Sequence, residues 1–182
     1  MPAVGRAKTG NVATRKDTLI MPQPPWWKGS RGEWYVIAQF VFFALVVFGP
    51  RTWSGSPAWT SPYAELGSIG GGILLLMGGL LAVAGIFGLG ANLTPLPYPK
   101  DEATLVETGP YRLVRHPIYS GAILMAFGWA LWVHGWLTIG YAIILFVFFD
   151  IKSRREEQWL KGKFPGYVAY QKRVRKLIPF VY

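Results

Sequence analysis

Four long apolar blocks separated by polar segments constrain the fold of this chain more than any other feature. They cover residues 34–49, 66–91, 118–133 and 136–149. A helix needs about 20 apolar residues to cross the hydrocarbon core of a bilayer, so the second block suffices and the others need their interfacial Trp, Tyr and Asp ends. Lipid forces such segments to be helical. We therefore predict an all-α integral membrane protein with about four transmembrane helices and a C-terminal cytoplasmic helical segment.

The basic residues favour one orientation in the membrane. If both termini share a side, all but Arg51 of the 19 Lys and Arg residues lie on that side, which the positive-inside rule makes the cytoplasm. Their attraction to anionic headgroups also accounts for the net charge of +10. The sequence thus predicts a multi-pass protein with membrane lipids, and no nucleic acid, as its surroundings and partners.

The distribution of polar and apolar residues divides the chain into two parts of unequal size. We predict that residues 1–33 form a basic, mostly disordered cytoplasmic tail that settles at Trp26 and Trp27, and that residues 34–182 form the membrane domain. Only His134 and Gly135 separate the third and fourth blocks, which predicts an antiparallel helical hairpin. Small residues at four-residue spacing predict close helix packing. These are Gly67/Gly71, Gly78/Ala82 and Ala84/Gly88, with Ala122, Ala126 and Ala130 in the third block.

The residue types exclude several kinds of site. The chain has no Cys, which removes disulfides, Cys-based zinc sites and thiol nucleophiles. Its two histidines, His116 and His134, are far apart in sequence, so no metal is expected.

The polar residues that could form a functional site lie in three pieces of the chain, 88–99, 107–121 and 154–179. In the middle piece, Arg115 and His116 immediately precede Pro117, which suits the first turn of a helix. The free N–H groups and positive dipole end of that helix would favour a carboxylate or phosphate there. For the bare residues alone, interfacial snorkelling of the arginines with His116 as a cap is the favoured interpretation.

The other two pieces also have two interpretations. Glu156 and Glu157 lie about 100° apart on a helix, so at most one faces a ligand squarely; otherwise they balance nearby basic residues. Tyr167, Tyr170 and Arg173 share one helix side, as in an interfacial amphipathic helix. Gly88 and Gly90 form a GxG that either caps a helix or admits a flat ligand.

In combination, these pieces resemble a known family over residues 85–180. "TGPYRLVRHPIYSG", then "EEQWL", then Tyr167, Tyr170, Arg173 and "LIP", are similar to the integral-membrane methyltransferases. That superfamily contains isoprenylcysteine carboxyl methyltransferase and phospholipid N-methyltransferase. One departure is a Phe-Pro-Gly-Tyr at 164–167, one residue shorter than the usual Phe-Gly-x-x-Tyr, which leaves the register of Tyr167 open.

The resemblance implies S-adenosylmethionine as cofactor, bound at the cytoplasmic face by residues 85–180. It implies catalytic roles for Arg115, Glu157 and Arg173. The implied cofactor-binding residues are Gly88, Gly90, Tyr111, Arg115, His116, Tyr119, Glu156 and Glu157. The expected activity is methyl transfer to a lipophilic small molecule or lipidated substrate, whether a prenylcysteine-like carboxylate, a lipid amine or a thiol.

Two other functions stay open from the sequence. One is a non-enzymatic membrane transporter or scaffold, which the near absence of charge within the apolar blocks disfavours. The other is a sterol-reductase-like enzyme, which would need NADPH and normally a longer chain. The methyl acceptor, the oligomeric state and the role of the N-terminal tail cannot be read from the residues.

Overall fold

A computed structural model describes residues 31–182 except Phe180, and in that part the protein is helical without a named strand. The predicted tail therefore lies almost wholly outside the described residues. The five α-helices, in chain order, are α1 (Glu33–Phe48), α2 (Tyr63–Leu89), α3 (Pro117–Trp132), α4 (Trp136–Lys163) and α5 (Tyr167–Arg173). Short 3₁₀ turns at Gly90–Asn92 and Gly109–Arg112 flank the loop between α2 and α3.

Two of these helices are long and apolar enough to cross a membrane. They are Tyr63–Asn92, which includes the turn after α2, and α4. Helices α1 and α3 are apolar but have only 16 residues each. The all-helical prediction is confirmed for the described chain, while the count of four crossings stays a prediction.

Helix α4 extends well beyond the end of the fourth apolar block at residue 149. It runs without a break from the fourth apolar block into the charged segment and has 28 residues. Residues 150–161 are mostly good helix formers and contain neither Gly nor Pro, so nothing interrupts the helix there. The acidic pair therefore stands on the rigid extension of an apolar helix rather than on a separate one.

Helices α2 and α3 form the most extensive helix contact of the described chain. A Cβ atom on Gly71 would lie 2.6 Å from the carbonyl oxygen of Gly128, and one on Gly78 would lie 2.6 Å from that of Gly121. Close approach of the backbones thus requires glycine at these positions. The predicted small-residue contact holds for the first two pairs, but Gly85 is buried on α2 in place of Ala84 and Gly88, which are exposed.

Substituting Gly78 tests this contact. We expect Gly78→Ala to lower the free energy of unfolding by about 1–3 kcal/mol, because the added methyl meets backbone that cannot rotate away. Its neighbour Gly79 is the matched control, since a Cβ there would only touch the Met125 sulfur at 3.9 Å. Gly79→Ala should be neutral or stabilising by up to about 1 kcal/mol. Thermal unfolding in one detergent compares them, and equal stabilities would contradict the close α2–α3 packing.

The hairpin between α3 and α4 turns where the sequence indicates. His134 has a positive φ of 52°, and Gly135 precedes the first residue of α4. The His134 Nε2 atom lies 2.8 Å from the Ala64 carbonyl oxygen. This turn sends α4 back along α3, so the acidic pair of α4 returns to the end of the bundle where α3 begins.

Candidate active site

The site is built where the C-terminal segment returns to the start of α3. The Arg115 N–H donates to the Arg175 carbonyl oxygen at 2.8 Å, and the His116 N–H donates to that of Lys176 at 3.2 Å. Ser120 adds a bond from its hydroxyl to the Leu177 carbonyl oxygen at 2.7 Å. The backbone N–H groups of Arg115 and His116, just before the first turn of α3, therefore bind the chain's own C-terminal segment.

A buried ion pair joins this start of α3 to α4. Arg115 Nε donates to Glu157 Oε1 at 2.8 Å, and the two side chains are only 9% and 7% exposed. The Arg115 Nη1 atom donates to the carbonyl oxygens of Gln171 and Val174. Gln171 also donates from Nε2 to Glu157 Oε2 at 2.7 Å. Arg115 thus links the start of α3 to α4 and to the end of α5. Both carboxylate oxygens of Glu157 accept hydrogen bonds, from Arg115 and from Gln171.

Glu156 has different surroundings from Glu157. The Tyr119 hydroxyl donates to Glu156 Oε2 at 2.7 Å, and His116 lies between the two glutamates, with Nε2 3.2 Å from Glu157 Oε1 and Nδ1 3.9 Å from Glu156 Oε2. The His116 ring stacks on the Tyr119 ring, with centroids 5.4 Å apart. Glu156 keeps a 24% exposed side chain, so it is the carboxylate available to a ligand.

Two adjoining cavities border this cluster. One of about 90 Å³ lies toward α5, and one of about 260 Å³ lies toward α1. The residues that line both are Leu89, Thr94, Tyr111, Arg115, His116 and Glu156. Ligand sites for small molecules commonly occupy about 300–1,000 Å³, so the pair together reaches the lower end of that range.

Three tyrosines close the cavity toward α5. The Tyr170 hydroxyl donates to the Tyr111 carbonyl oxygen at 2.6 Å, and the Tyr111 hydroxyl donates to that of Gly85 at 3.1 Å. The Tyr167 hydroxyl is buried without a hydrogen-bond partner among the described residues. Burial raises the pKa of Tyr167 well above its ordinary value, with the Glu157 charge adding to the effect. It is therefore a protonated donor at neutral pH, facing a cavity that it lines.

The structure does not bring every expected residue into this cluster. Gly90 has a positive φ of 51° and ends α2, as a capping glycine does. A Cβ on Gly88 would lie 3.2 Å from the Tyr111 ring, so Gly88 admits that ring. The Arg173 side chain is 65% exposed and pairs with Glu107 at 2.6 Å. None of these three lines either cavity.

Two residues at the cavity were missed from the sequence. Lys152 is 1% exposed, and its Nζ atom donates to Gln39 Oε1 at 2.6 Å and to the Pro95 carbonyl oxygen at 3.2 Å. Its four-residue spacing from Glu156 was a usable signal, because such residues share a helix face. Gln39 is an amide within the first apolar block, and polar groups in such blocks are commonly functional.

The chain is similar to several known proteins. The family model for phospholipid methyltransferase matches residues 66–166. The cobalt-zinc-cadmium resistance protein CzcN of Cupriavidus metallidurans is 29% identical over 149 residues, which is 81% of this chain and 62% of that protein. Protein-S-isoprenylcysteine O-methyltransferase B of Arabidopsis thaliana is 31% identical over 112 residues, covering 59% of this chain and 57% of its own length.

A probable protein-S-isoprenylcysteine O-methyltransferase of Oryza sativa subsp. indica is 33% identical over 84 residues, which is 45% of this chain and 44% of the relative. The chain thus spans less than two thirds of each of these relatives. The family match covers more than half of the chain and contains the start of α3 together with the acidic pair. The protein therefore belongs to the phospholipid methyltransferase family, in the superfamily that also contains the isoprenylcysteine O-methyltransferases.

Proposed function

We propose that this protein transfers a methyl group from S-adenosylmethionine to a lipophilic acceptor at the cytoplasmic face of a membrane. The observation that carries the proposal is the position of Glu156. This carboxylate borders both cavities, within the part of the chain that matches the methyltransferase family. The likeness to named O-methyltransferases supports the reaction class.

The residues around the two adjoining cavities fit such a cofactor. S-adenosylmethionine, when bound, supplies an electrophilic methyl group on a sulfonium, and it also carries a carboxylate, an amine and ribose hydroxyls. Glu156 would accept from the amine or the hydroxyls. Arg115 uses Nε and Nη1 for the protein, which leaves Nη2 for a carboxylate. Tyr167 offers a buried donor that otherwise lacks a partner.

The chain's own groups supply positioning and exclusion of water. No covalent nucleophile is required, so catalysis rests on holding the reactants in line inside a poorly solvated cleft. The His116 and Tyr119 rings and the Phe149 ring stack in series, which fixes the wall beside Glu156. An amine or thiol acceptor would also need a base, and His116 and Glu156 are the candidates.

An apolar route from the membrane supports a lipophilic acceptor. A cavity of about 300 Å³ lies against α3 between α1 and α2, lined only by apolar side chains. Residues that line it lie on the same helix faces as residues that line the larger polar cavity. Phe43 of the apolar cavity follows Gln39 of the polar one by one turn of α1, and Leu145 precedes Lys152 by two turns of α4. Helix α1 packs on α4 and α3 rather than on α2. The gap gives a hydrocarbon chain access from the side.

The proposed topology has four crossings with both termini in the cytoplasm. The two short helices α1 and α3 cross with the help of their interfacial ends, and the cluster of Arg115, Glu156 and Glu157 then lies at the cytoplasmic face. The distribution of Lys and Arg supports this orientation.

Ligand binding tests the proposed function directly. We expect S-adenosylhomocysteine to raise the unfolding temperature of the full-length protein in detergent, whereas NADPH should not. A ligand at 100 times its Kd stabilises by about 2.7 kcal/mol. Labelled methyl transfer into a membrane lipid extract then identifies the acceptor. Stabilisation by NADPH alone would favour a reductase, and no effect of either would argue against both enzymes.

The Tyr167 hydroxyl permits a second test. We expect Tyr167→Phe to leave the unliganded protein as stable as before or slightly more stable, since it removes a buried donor that has no partner. The same change should weaken S-adenosylhomocysteine binding by roughly 5- to 10-fold, the effect of one hydrogen bond. Tyr170→Phe is the matched control because its hydroxyl bonds within the protein, so it should lower stability. Unchanged affinity in Tyr167→Phe would place this hydroxyl outside the ligand site.

A further inference from the structure

A further apolar groove lies on the side of α3 that faces away from the candidate active site. Its volume is about 620 Å³, and its lining comes from α2, α3, α4 and the C-terminal segment, including Leu81, Phe127, Phe146 and Ile178. Among the described residues, none lines both this groove and one of the other three cavities described above. Met125 lines the apolar cavity beside α1 and is two residues from Phe127, which places their side chains about 200° apart around α3. The groove is therefore separate from the site proposed for methyl transfer.

The groove is suited to a hydrocarbon chain. Ser120 is the one polar residue of its lining among the described residues, and its hydroxyl is already hydrogen-bonded to the His116 and Leu177 carbonyl oxygens, at 3.0 Å and 2.7 Å. Met77 and Leu113 are exposed where they line the groove, so it opens to the side, where a membrane protein meets lipid. Its volume falls within the range of about 300–1,000 Å³ that is common for ligand sites.

Two exposed arginines stand at the end of the groove that is cytoplasmic in the proposed topology. Arg112 directly precedes Leu113 of the lining, and Arg175 lies two residues before Leu177. Val114 forms a parallel bridge with Arg175, and Arg112 is two residues from Val114, at most about 7 Å along the chain. The two long side chains can therefore reach a single phosphate group, which an arginine binds through two N–H groups at once.

The charge around these arginines favours an anion. Neither guanidinium has an ion-pair partner among the described residues. The charged side chains next to them are already paired, Arg173 with Glu107, and Asp150 with both Lys176 and Arg154. Two unpaired positive charges beside an apolar groove match a molecule that has hydrocarbon chains and a negative head. Basic pockets between membrane helices on the cytoplasmic side bind anionic lipids in this way.

We propose that an anionic phospholipid binds in this groove, with an acyl chain against α3 and its phosphate between Arg112 and Arg175, and that this lipid is not the methyl acceptor. The inference goes beyond the proposed function and does not depend on it. Residues 177–179 form part of the groove wall, and the same segment accepts the N–H groups of Arg115 and His116. A lipid that fills the groove therefore holds the C-terminal segment against the start of α3 and stabilises the folded protein.

Lipid binding to the full-length protein tests this site. The probes are dioleoylphosphatidylglycerol and dioleoylphosphatidylcholine, which carry the same acyl chains and differ in the net charge of the head group. Protein freed of lipid in an uncharged detergent is titrated with each, and native mass spectrometry gives the Kd of the tightest site. We expect phosphatidylglycerol to bind at least about tenfold more tightly than phosphatidylcholine, the effect of one charge-assisted contact. It should also raise the unfolding temperature more.

Two variants and a control separate the head-group contact from the apolar contact. The double change Arg112→Gln and Arg175→Gln should reduce the preference for phosphatidylglycerol to about threefold or less, and both positions are exposed, so folding is unaffected. Leu81→Trp fills the apolar part and should weaken phosphatidylglycerol binding at least about tenfold although both arginines remain. The double change Arg155→Gln and Lys161→Gln is the control. It removes the same charge from exposed positions of α4 outside the groove lining and should keep the wild-type preference.

Each outcome assigns the groove to one occupant. Equal affinity of the wild type for the two lipids would mean that lipid of any head group covers the groove, and would overturn the proposal. An unchanged preference in the double arginine variant would overturn it as well. A dimer that Leu81→Trp dissociates, without a tightly bound lipid, would assign the groove to a second copy of the chain. S-adenosylhomocysteine binding in the same detergent reports separately on the proposed function.

Discussion

Arg115→Ala is expected to cause the largest loss of stability of any single change in the site. Removing this guanidinium leaves Glu157 buried without its ion pair, and breaking a buried pair in this way costs about 3–5 kcal/mol. It also removes the donors to the Gln171 and Val174 carbonyl oxygens. We therefore expect a much lower unfolding temperature in detergent and rapid proteolysis of residues 174–182, with loss of S-adenosylhomocysteine binding as a consequence.

Two comparisons make the result specific to Arg115. Arg115→Lys keeps the charge but has one nitrogen instead of three, so it cannot reach Glu157 and both carbonyls together and should restore only part of the stability. Arg112→Ala removes an exposed arginine from the same segment and should change stability by less than about 0.5 kcal/mol. Wild-type stability of Arg115→Ala, with loss of ligand binding alone, would instead assign Arg115 to the cofactor only.

The sequence predicts much of this fold because lipid leaves few choices. The uncharged length of residues 66–91 is enough to predict α2, and the turn at His134 and Gly135 is enough to predict the hairpin. The end of α4 was left open by the sequence, because hydropathy marks only the edge of the apolar block at residue 149, whereas the helix ends at Lys163. The packing role of Gly85 rather than Gly88 depends on where α3 lies, which the spacing of glycines alone does not determine.

The sequence predicts which residues form the site but not what each of them contacts. The motif brings Arg115, His116, Tyr119 and both glutamates to one place, as the structure has them. Motif spacing cannot show that the C-terminal segment binds the N–H groups of Arg115 and His116, because that contact joins residues about 60 positions apart. Lys152 was missed for a similar reason, since its partner Gln39 is 113 residues away.

Replacing each glutamate of the acidic pair by glutamine is expected to affect stability and ligand binding in opposite orders. Glu157→Gln should lower the free energy of unfolding by about 3–5 kcal/mol, because it leaves Arg115 as an unpaired buried cation. Glu156→Gln should lower it by less than about 1 kcal/mol, since the amide oxygen can still accept from the Tyr119 hydroxyl. Each variant removes one carboxylate without changing side-chain size, so the difference reports on surroundings alone.

Ligand binding should show the reverse order. Glu156 borders both cavities, and losing a hydrogen bond to a charged group costs about 1.5–3 kcal/mol, or roughly 10- to 100-fold in S-adenosylhomocysteine affinity. Glu157 lines neither cavity, so Glu157→Gln, measured at a temperature where it is folded, should bind within about threefold of wild type. Both constants come from calorimetry in nanodiscs, with unfolding followed by tryptophan fluorescence. If Glu157→Gln lost binding while Glu156→Gln kept it, the ligand-facing carboxylate would be Glu157, and the cavity assignment would be wrong.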